Sequence, residues 1–404
     1  MTGNASSLSS LERSDPAGSG WVRTWGASPQ APDSSVIAID PFADATLRQV
    51  VRISGGGRRT RIRISNEYGT TPLTIGAAHI SLAESDHEIQ AGTDHALTFS
   101  GQPTITVPAG APILSDPVDL PVPALSRLTV SLHLPDQVET CTCHGTDNAL
   151  GWILPGDATT LASLPANAAP LPTQALLSAV EVLPGAPTKS IAVIGDSRVD
   201  GIGSTPGADR RWTDVLAERL TGRGGHTLCV VNQGIGGNRM LADGMGAATL
   251  ARFDRDVLAT PGLAHVVIAA GNDLVFSFAP HDEKTAGFLA MFPGAPVTAD
   301  DVIAAHLQLA ARARAHGAKV YAATIAPYGR SEMYSPEGDS AREQVNSWIR
   351  TSSAFDGVLD FDAAWRDPAD PTRIRDDLQT GDHIHGNDAG YQALADSIDL
   401  SLFD

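Results

Sequence analysis

At Leu183-Pro184-Gly185-Ala186-Pro187 the spacing of apolar residues changes, and the change divides the chain into parts that must fold by different rules. Residues 21–183 carry short runs of alternating apolar and polar residues, separated by proline and glycine. Leu47-Arg48-Gln49-Val50-Val51-Arg52-Ile53 leads through Gly55-Gly56-Gly57 into Thr60-Arg61-Ile62-Arg63-Ile64. Period-two alternation on both sides of a glycine turn predicts a β-hairpin. Further strand-like runs at 73–75, 97–99, 104–107 and 128–132, with no long helical pattern between them, predict an all-β sandwich of jelly-roll kind. Residues 187–404 read differently. Apolar stretches at 190–194, 227–231, 265–269, 319–324 and 357–361 are separated by helical patterns. Trp212, Val215, Leu216 and Leu220 share one helical face, as do Val302, Ile303, Leu307 and Ala310. Val345, Trp348 and Ile349 mark another helix, and Tyr391, Leu394, Ala395 and Ile398 the last. Strands apolar on both sides need cover on both sides, so the expected fold is α/β, a doubly wound parallel sheet with flavodoxin-like strand order.

The length, 404 residues, gives each part enough chain to bury its own core. Residues 1–20 are polar and rich in serine and glycine, and are expected to form a disordered N-terminal segment. They contain no apolar core for a signal peptide, and no run approaches the length of a membrane span. The expected location is therefore cytoplasmic as the sequence stands, or secreted if a leader precedes it. The net charge is −18 and both parts are acidic, so no surface offers the counter-charge that a phosphate backbone requires, and nucleic acid is excluded as a partner. Three cysteines make no disulfide framework: Cys141 and Cys143 stand one residue apart, and Cys229 lies in an apolar run and reads as a buried thiol.

In an open parallel sheet the ligand crevice lies beyond the carboxyl ends of the strands. The first apolar stretch is followed by Gly195-Asp196-Ser197-Arg198, the second by Asn232-Gln233-Gly234-Ile235-Gly236-Gly237-Asn238, and the third by Gly271-Asn272-Asp273. About twenty residues beyond the fifth comes Gly381-Asp382-His383-Ile384-His385. Brought to one edge, these segments hold the parts that acyl transfer needs. A serine hydroxyl requires an imidazole to take its proton, and the imidazole requires a carboxylate to fix its tautomer. The oxyanion formed on attack requires donors already aimed at it. Backbone N–H groups of Ser197 and Gly237 and the side-chain amide of Asn272 are the candidates.

These blocks resemble those of the GDSL/SGNH hydrolase family: Gly195-Asp196-Ser197 the first, Gly237 within Ile235-Gly236-Gly237-Asn238 the second, Gly271-Asn272-Asp273 the third, and Asp382-His383-Ile384-His385 the last. The resemblance spans residues 191–392. It implies Ser197 as nucleophile, His385 as base, Asp382 as its orienter, an oxyanion hole from Ser197, Gly237 and Asn272, and no cofactor. The β-rich part, with Thr24-Trp25-Gly26-Ala27-Ser28-Pro29 and Ile64-Ser65-Asn66-Glu67-Tyr68-Gly69-Thr70, resembles the N-terminal region of two-domain bacterial members. One departure is visible. The family often has proline after the last histidine, and here Gly386 stands there, leaving the loop freer, with Asn387 still able to cap the final helix.

His383 and His385 form a His-x-His pair, but no Cys or Glu clusters beside them to complete a ligand set, so no metal is expected. The segment 274–300 is long for a strand-to-helix connection and carries Phe276, Phe278, Phe288, Met291 and Phe292. Phe276 and Phe278 are expected to line a substrate pocket. The expected activity is hydrolysis of a small-molecule or glycan carboxylic ester through an acyl-serine intermediate. Transfer of the acyl group to an alcohol or sugar would use the same site. A carbohydrate-binding or structural protein with a dead hydrolase domain is the alternative from another class. Short acyl esters, acetylated sugars, aryl esters and lysophospholipids all fit the blocks, because specificity resides in loops.

Overall fold

The computed structural model describes residues 20–32, 39–145, 148, 150–223 and 227–404; the expectation for the first twenty residues, Gly20 apart, lies outside them. The strand-rich part contains β1 (Val22–Gly26), β2 (Ala45–Arg52), β3 (Arg59–Asn66), β4 (Ala77–Leu82), β5 (His95–Ala96), β6 (Ala111–Leu114), β7 (Arg127–Leu134), β8 (Leu150–Pro155) and β9 (Leu177–Leu183). They form two antiparallel sheets, ordered β1-β9-β3-β6 and β8-β2-β7-β4-β5, the second extended beyond β8 by Ala169–Pro170. Inward residues of both sheets, among them Ile62 and Ile64 of β3, Val180 and Val182 of β9, Leu47 and Val51 of β2, and Leu128, Val130 and Leu132 of β7, belong to one buried cluster.

The hairpin expected at 47–64 does not form. β2 pairs with β7 and β8, whereas β3 pairs with β9 and β6, in the other sheet. Period-two alternation shows that each run is extended and which face is apolar, but it does not name the partner. The glycine segment instead carries the chain from one sheet to the other, with the Gly57 N–H donating to the Val122 carbonyl.

Residues 184–187 separate β9 from β10 (Thr188–Gly195), the first strand of a parallel sheet completed by β11 (Thr227–Gly234), β12 (Leu263–Ala269), β13 (Lys319–Ala323) and β14 (Gly357–Leu359). Its order is β11-β10-β12-β13-β14, the 2-1-3-4-5 arrangement of flavodoxin-like sheets. The helices are α1 (Ser197–Asp200), α2 (Trp212–Arg223), α3 (Thr249–Phe253), α4 (Asn272–Phe278), α5 (Ala286–Leu289), α6 (Ala299–Ala315), α7 (Pro336–Thr351), α8 (Phe361–Trp365) and α9 (Asp388–Ser397). Side chains alternate across β10: Ile191 and Val193 face α2, α8 and α9, while Ala192 and Ile194 face α3, α6 and α7. Both faces of the sheet are thereby covered.

Two details depart from the sequence reading. The fifth strand ends at Leu359, because Asp360 accepts a hydrogen bond from the Ala363 N–H and starts α8. On α6 the inward stripe is Val302, Ala305, His306, Leu309, Ala310 and Ala313, and Leu307 is 45% exposed, being five residues from Val302 on a 3.6-residue repeat. All three cysteines are free and buried, and burial pushes the thiols of Cys143 and Cys229 up to about 12. Although Cys229 lies on β11, its side chain packs in the core of the strand-rich part. No helix among the described residues is long and apolar enough to cross a membrane.

Candidate active site

Strand order in a sheet reverses between β10 and its neighbours β11 and β12, and at such a switch point the segments leaving adjacent strands splay apart to make a crevice. Ser197 follows β10, Gly237 follows β11 and Asn272 follows β12, so three neighbouring strand ends supply three of the expected residues. All three line one cavity of about 310 Å³ together with His385.

Ser197 begins α1, whose N-cap Asp196 accepts a hydrogen bond from the Arg198 N–H at 3.1 Å. The other Asp196 oxygen accepts the Gly271 N–H at 3.2 Å, tying the turn after β10 to the turn after β12. Burial pushes the Asp196 carboxyl upward, opposed by the Arg198 charge and these two N–H groups. Asp273 is spent similarly, on the N–H groups of Met240 and Leu241 at 2.6 and 3.0 Å. Both aspartates therefore brace loops.

His385 stands 2.8 Å through Nε2 from Ser197 Oγ and 2.6 Å through Nδ1 from Asp382 Oδ2. An ionised carboxylate only accepts, so Nδ1 carries the ring proton and Nε2 is free to accept from the serine hydroxyl. Partial burial opposes ionisation of Asp382. The His385 hydrogen bond and charge, and the N–H groups of His385 and Ile384, outweigh it and hold the carboxyl well below the usual carboxylate range. The two N–H groups reach Asp382 Oδ1 at 2.9 Å each, so the loop folds around its own carboxylate. His383, two residues away, has a positive φ of 63° and donates its N–H to Gln379 Oε1. It does not line the cavity. Among the described residues no group of three or more His, Cys, Asp or Glu is placed to hold a metal ion.

Gly237 is the third residue of a turn closed by the Asn238 N–H donating to the Ile235 carbonyl, and its φ is +68°. Position three of such a turn favours glycine. Here space demands it too, since a Cβ would stand 2.7 Å from Met245 Sδ and 3.0 Å from the Phe292 ring.

The rest of the cavity wall is apolar: Ile202, Met245, Val275, Phe276, Phe288, Met333 and Ile384. Phe276 is present as expected, but Phe278 is not. Two residues along α4 is about 200° of rotation, which turns Phe278 toward α7, where its Cβ lies against Gly338. The segment expected as a loop forms α4 and α5, and the rings of Phe276, Phe288 and Phe292 stack at centroid separations of 4.4–5.5 Å. Pocket wall and satellite core are thus one structure. Sequence reasoning passed over Ile202, Met245, Val275, Met333 and Ile384; Ile384 lies inside the last block, whereas Met333 is far from every block and had no signal.

Arg198 was also passed over as a side chain. It is half-buried, with Nε donating to the Ile384 carbonyl at 3.0 Å, so the residue after Ser197 holds the backbone of the residue before His385.

A hydroxyl, imidazole and carboxylate in series at the carboxyl edge of a flavodoxin-like sheet define an α/β protein equipped for nucleophilic acyl chemistry. Residues 193–393 match the family described as GDSL-like Lipase/Acylhydrolase, and through that segment the chain belongs to this family and is a serine ester hydrolase of GDSL type. Solved structures similar to this part include an acetylxylan esterase from Geobacillus stearothermophilus (20% identity, 52% of this chain and 91% of that one, TM-score 0.38). Another is a GDSL-like lipase from Bacteroides thetaiotaomicron (16% identity, 53% and 88%, TM-score 0.36). Comparison with curated proteins finds no match.

Proposed function

We propose that Ser197, His385 and Asp382 act as nucleophile, general base and orienting carboxylate, and that the N–H groups of Ser197 and Gly237 with the Asn272 amide form the oxyanion hole. The observation that carries the proposal is the hydrogen-bonded series of 2.8 and 2.6 Å opening onto a cavity that Gly237 and Asn272 also line. As Ser197 Oγ attacks the ester carbon, its proton passes to His385 Nε2 and the carbonyl oxygen becomes the oxyanion. Collapse breaks the bond to the alcohol oxygen, which leaves with the proton from His385. Water then gives a proton to His385 as its oxygen attacks the acyl carbon. The carboxylic acid departs, and Ser197 regains its proton. Asp382 stays ionised throughout and stabilises the transient imidazolium.

The wall chemistry narrows the substrate. Apart from the proposed catalytic groups it presents only aliphatic, thioether and aromatic side chains, so the favoured substrate is a neutral ester with an apolar acyl or aryl portion. For the strand-rich region, read as a domain over 21–183 preceding the hydrolase domain over 187–404, strand order supports a jelly roll. Of the strands labelled above, the eight other than β8 lie first-eighth-third-sixth in one sheet and second-seventh-fourth-fifth in the other.

The test uses a fluorophosphonate probe and a series of p-nitrophenyl esters on the wild type and on Ser197→Ala. The wild type should label once and turn over the esters. The folded variant should do neither, with turnover down by about 10⁶. A folded Ser197→Ala that keeps its turnover would overturn the assignment.

A further inference from the structure

Among the described residues, a short ladder of the strand-rich part lies beside the proposed catalytic cavity. Gln30 and Cys143 exchange backbone hydrogen bonds at 2.7 and 3.1 Å, and Gly145 N–H donates to Gln30 Oε1 at 2.9 Å. From this ladder two buried side chains cross into the hydrolase part. His144 Nδ1 lies 2.9 Å from the Ser28 carbonyl, and its Nε2 lies 3.3 Å from Asp200 Oδ1. Gln30 Nε2 donates to the Met245 carbonyl at 2.5 Å.

Both contacts end on cavity parts. Asp200 closes α1, the turn of helix that opens with Ser197, and its second oxygen accepts the Gly236 N–H at 3.1 Å. Gly236 immediately precedes Gly237 in the turn that carries the proposed oxyanion donor. Asp200 therefore links nucleophile and oxyanion turn, and His144 occupies the oxygen that would otherwise let the carboxylate swing. Both ring nitrogens of His144 face oxygen atoms, one on each side of the seam between the two parts. Met245 in turn forms the wall beside Gly237. Asp200, His144 and Gln30 are all buried, so water does not substitute for these hydrogen bonds.

We propose that His144 and Gln30 are positioning residues through which the strand-rich part sets the other part's chemistry, His144 governing turnover by aiming the Gly236-Gly237 turn and Gln30 governing acyl selectivity by holding the Met245 wall. The proposal rests on the reading of Ser197 and Gly237 given above.

Two substitutions at His144 isolate the contact with Asp200. In His144→Asn the amide nitrogen mimics Nδ1, keeping the Ser28 bond and losing Asp200; in His144→Gln it mimics Nε2 and keeps Asp200. A misaimed catalytic group costs up to about a hundredfold. His144→Asn should therefore lower kcat by about ten- to a hundredfold with KM little changed, and His144→Gln should stay within about threefold of wild type. Gln30→Leu should leave kcat on the best ester near wild type while shifting the kcat/KM ratio between short and long acyl esters by about fivefold or more, close to the lower end of what one methylene of pocket fit is worth. Equal kcat in the two folded His144 variants, or unchanged selectivity in folded Gln30→Leu, overturns the corresponding arm. Ester turnover by the wild type that vanishes in Ser197→Ala keeps the reading of the site standing whichever way these variants fall.

Discussion

Asn272 opens α4 with its side chain on the cavity wall, and its proposed contribution is separable from binding. A donor aimed at the oxyanion interacts more strongly with the transition state than with the ester, so its loss belongs in kcat. Asn272→Ala should lose about 10²–10³ in kcat with KM nearly constant. A rise in KM alone would make Asn272 a substrate-binding residue. Asp273 cannot take over, because both its oxygens are engaged by Met240 and Leu241. Arg198 makes the other residue-scale prediction. Arg198→Ala should lower kcat by up to about a hundredfold through displacement of the His385 loop, and added guanidine should restore part of it. A loss that guanidine leaves untouched would assign Arg198 to folding instead. The residues that follow strand ends were legible in the sequence because topology alone delivers them to one edge. Arg198, His144 and Gln30 were not, because their partners lie 186, 56 and 215 positions away and no local pattern records such contacts.

Elements were legible where apolar residues mark a buried face, one face on the helices and both faces on the parallel strands. The five parallel strands and the faces of α2 and α9 are where the periodicity predicts. Pairing was less legible, since β2 and β3 are strands without being partners. The aromatic stretch shows the same limit: ring content pointed to a pocket, but only the helical turn of α4 decides which ring enters it. Phe276 and Phe278 should therefore behave differently. Phe276→Ala should shift relative turnover among acyl lengths and also destabilise, by less than the roughly 3–5 kcal/mol of a fully buried phenylalanine, since Phe288 and Phe292 lose a ring contact. Phe278→Ala should destabilise without altering selectivity, read by thermal melts beside the ester series. Equal selectivity changes in both would mean that α4 is turned otherwise. The Gly386 departure also resolves at this scale. A Cβ there would stand 2.5 Å from Trp365 Cζ2, so the loop gives up proline's stiffness for close packing and is held by Arg198 instead.

At the scale of the whole molecule the two parts are one packed body, joined by Cys229 in the core of the strand-rich part and by the buried Arg252, which donates to Ser28 Oγ, the Gln233 and Gly195 carbonyls and Asp256. None of this was legible from composition, and it makes stability a property of the entire chain. Two histidines outside the site show how that stability should respond to pH. His306 is buried on α6 between Trp348 and Phe355, with Nδ1 donating to the Val302 carbonyl and Nε2 lacking a partner among the described residues. Burial lowers its pKa to about 4; burial and the Lys319 charge do the same for His265. Below about pH 6.5 an unfolded chain binds protons at these rings and the native chain does not, so falling pH favours unfolding. The stability that the neutral rings confer is complete above pH 6.5 and is lost progressively down to about pH 4, where the native rings also protonate. For fully buried His306 the difference amounts to roughly 3 kcal/mol. The melting temperature of the wild type should fall across this window, before the carboxylates of the native ion pairs titrate. His306→Phe, which fills the aromatic pocket with a ring that takes no proton, should flatten the fall without removing it, because His265 remains. A melting curve of His306→Phe that declines as steeply as wild type between pH 6.5 and 4 would show that His306 is not the group whose protonation loosens the fold.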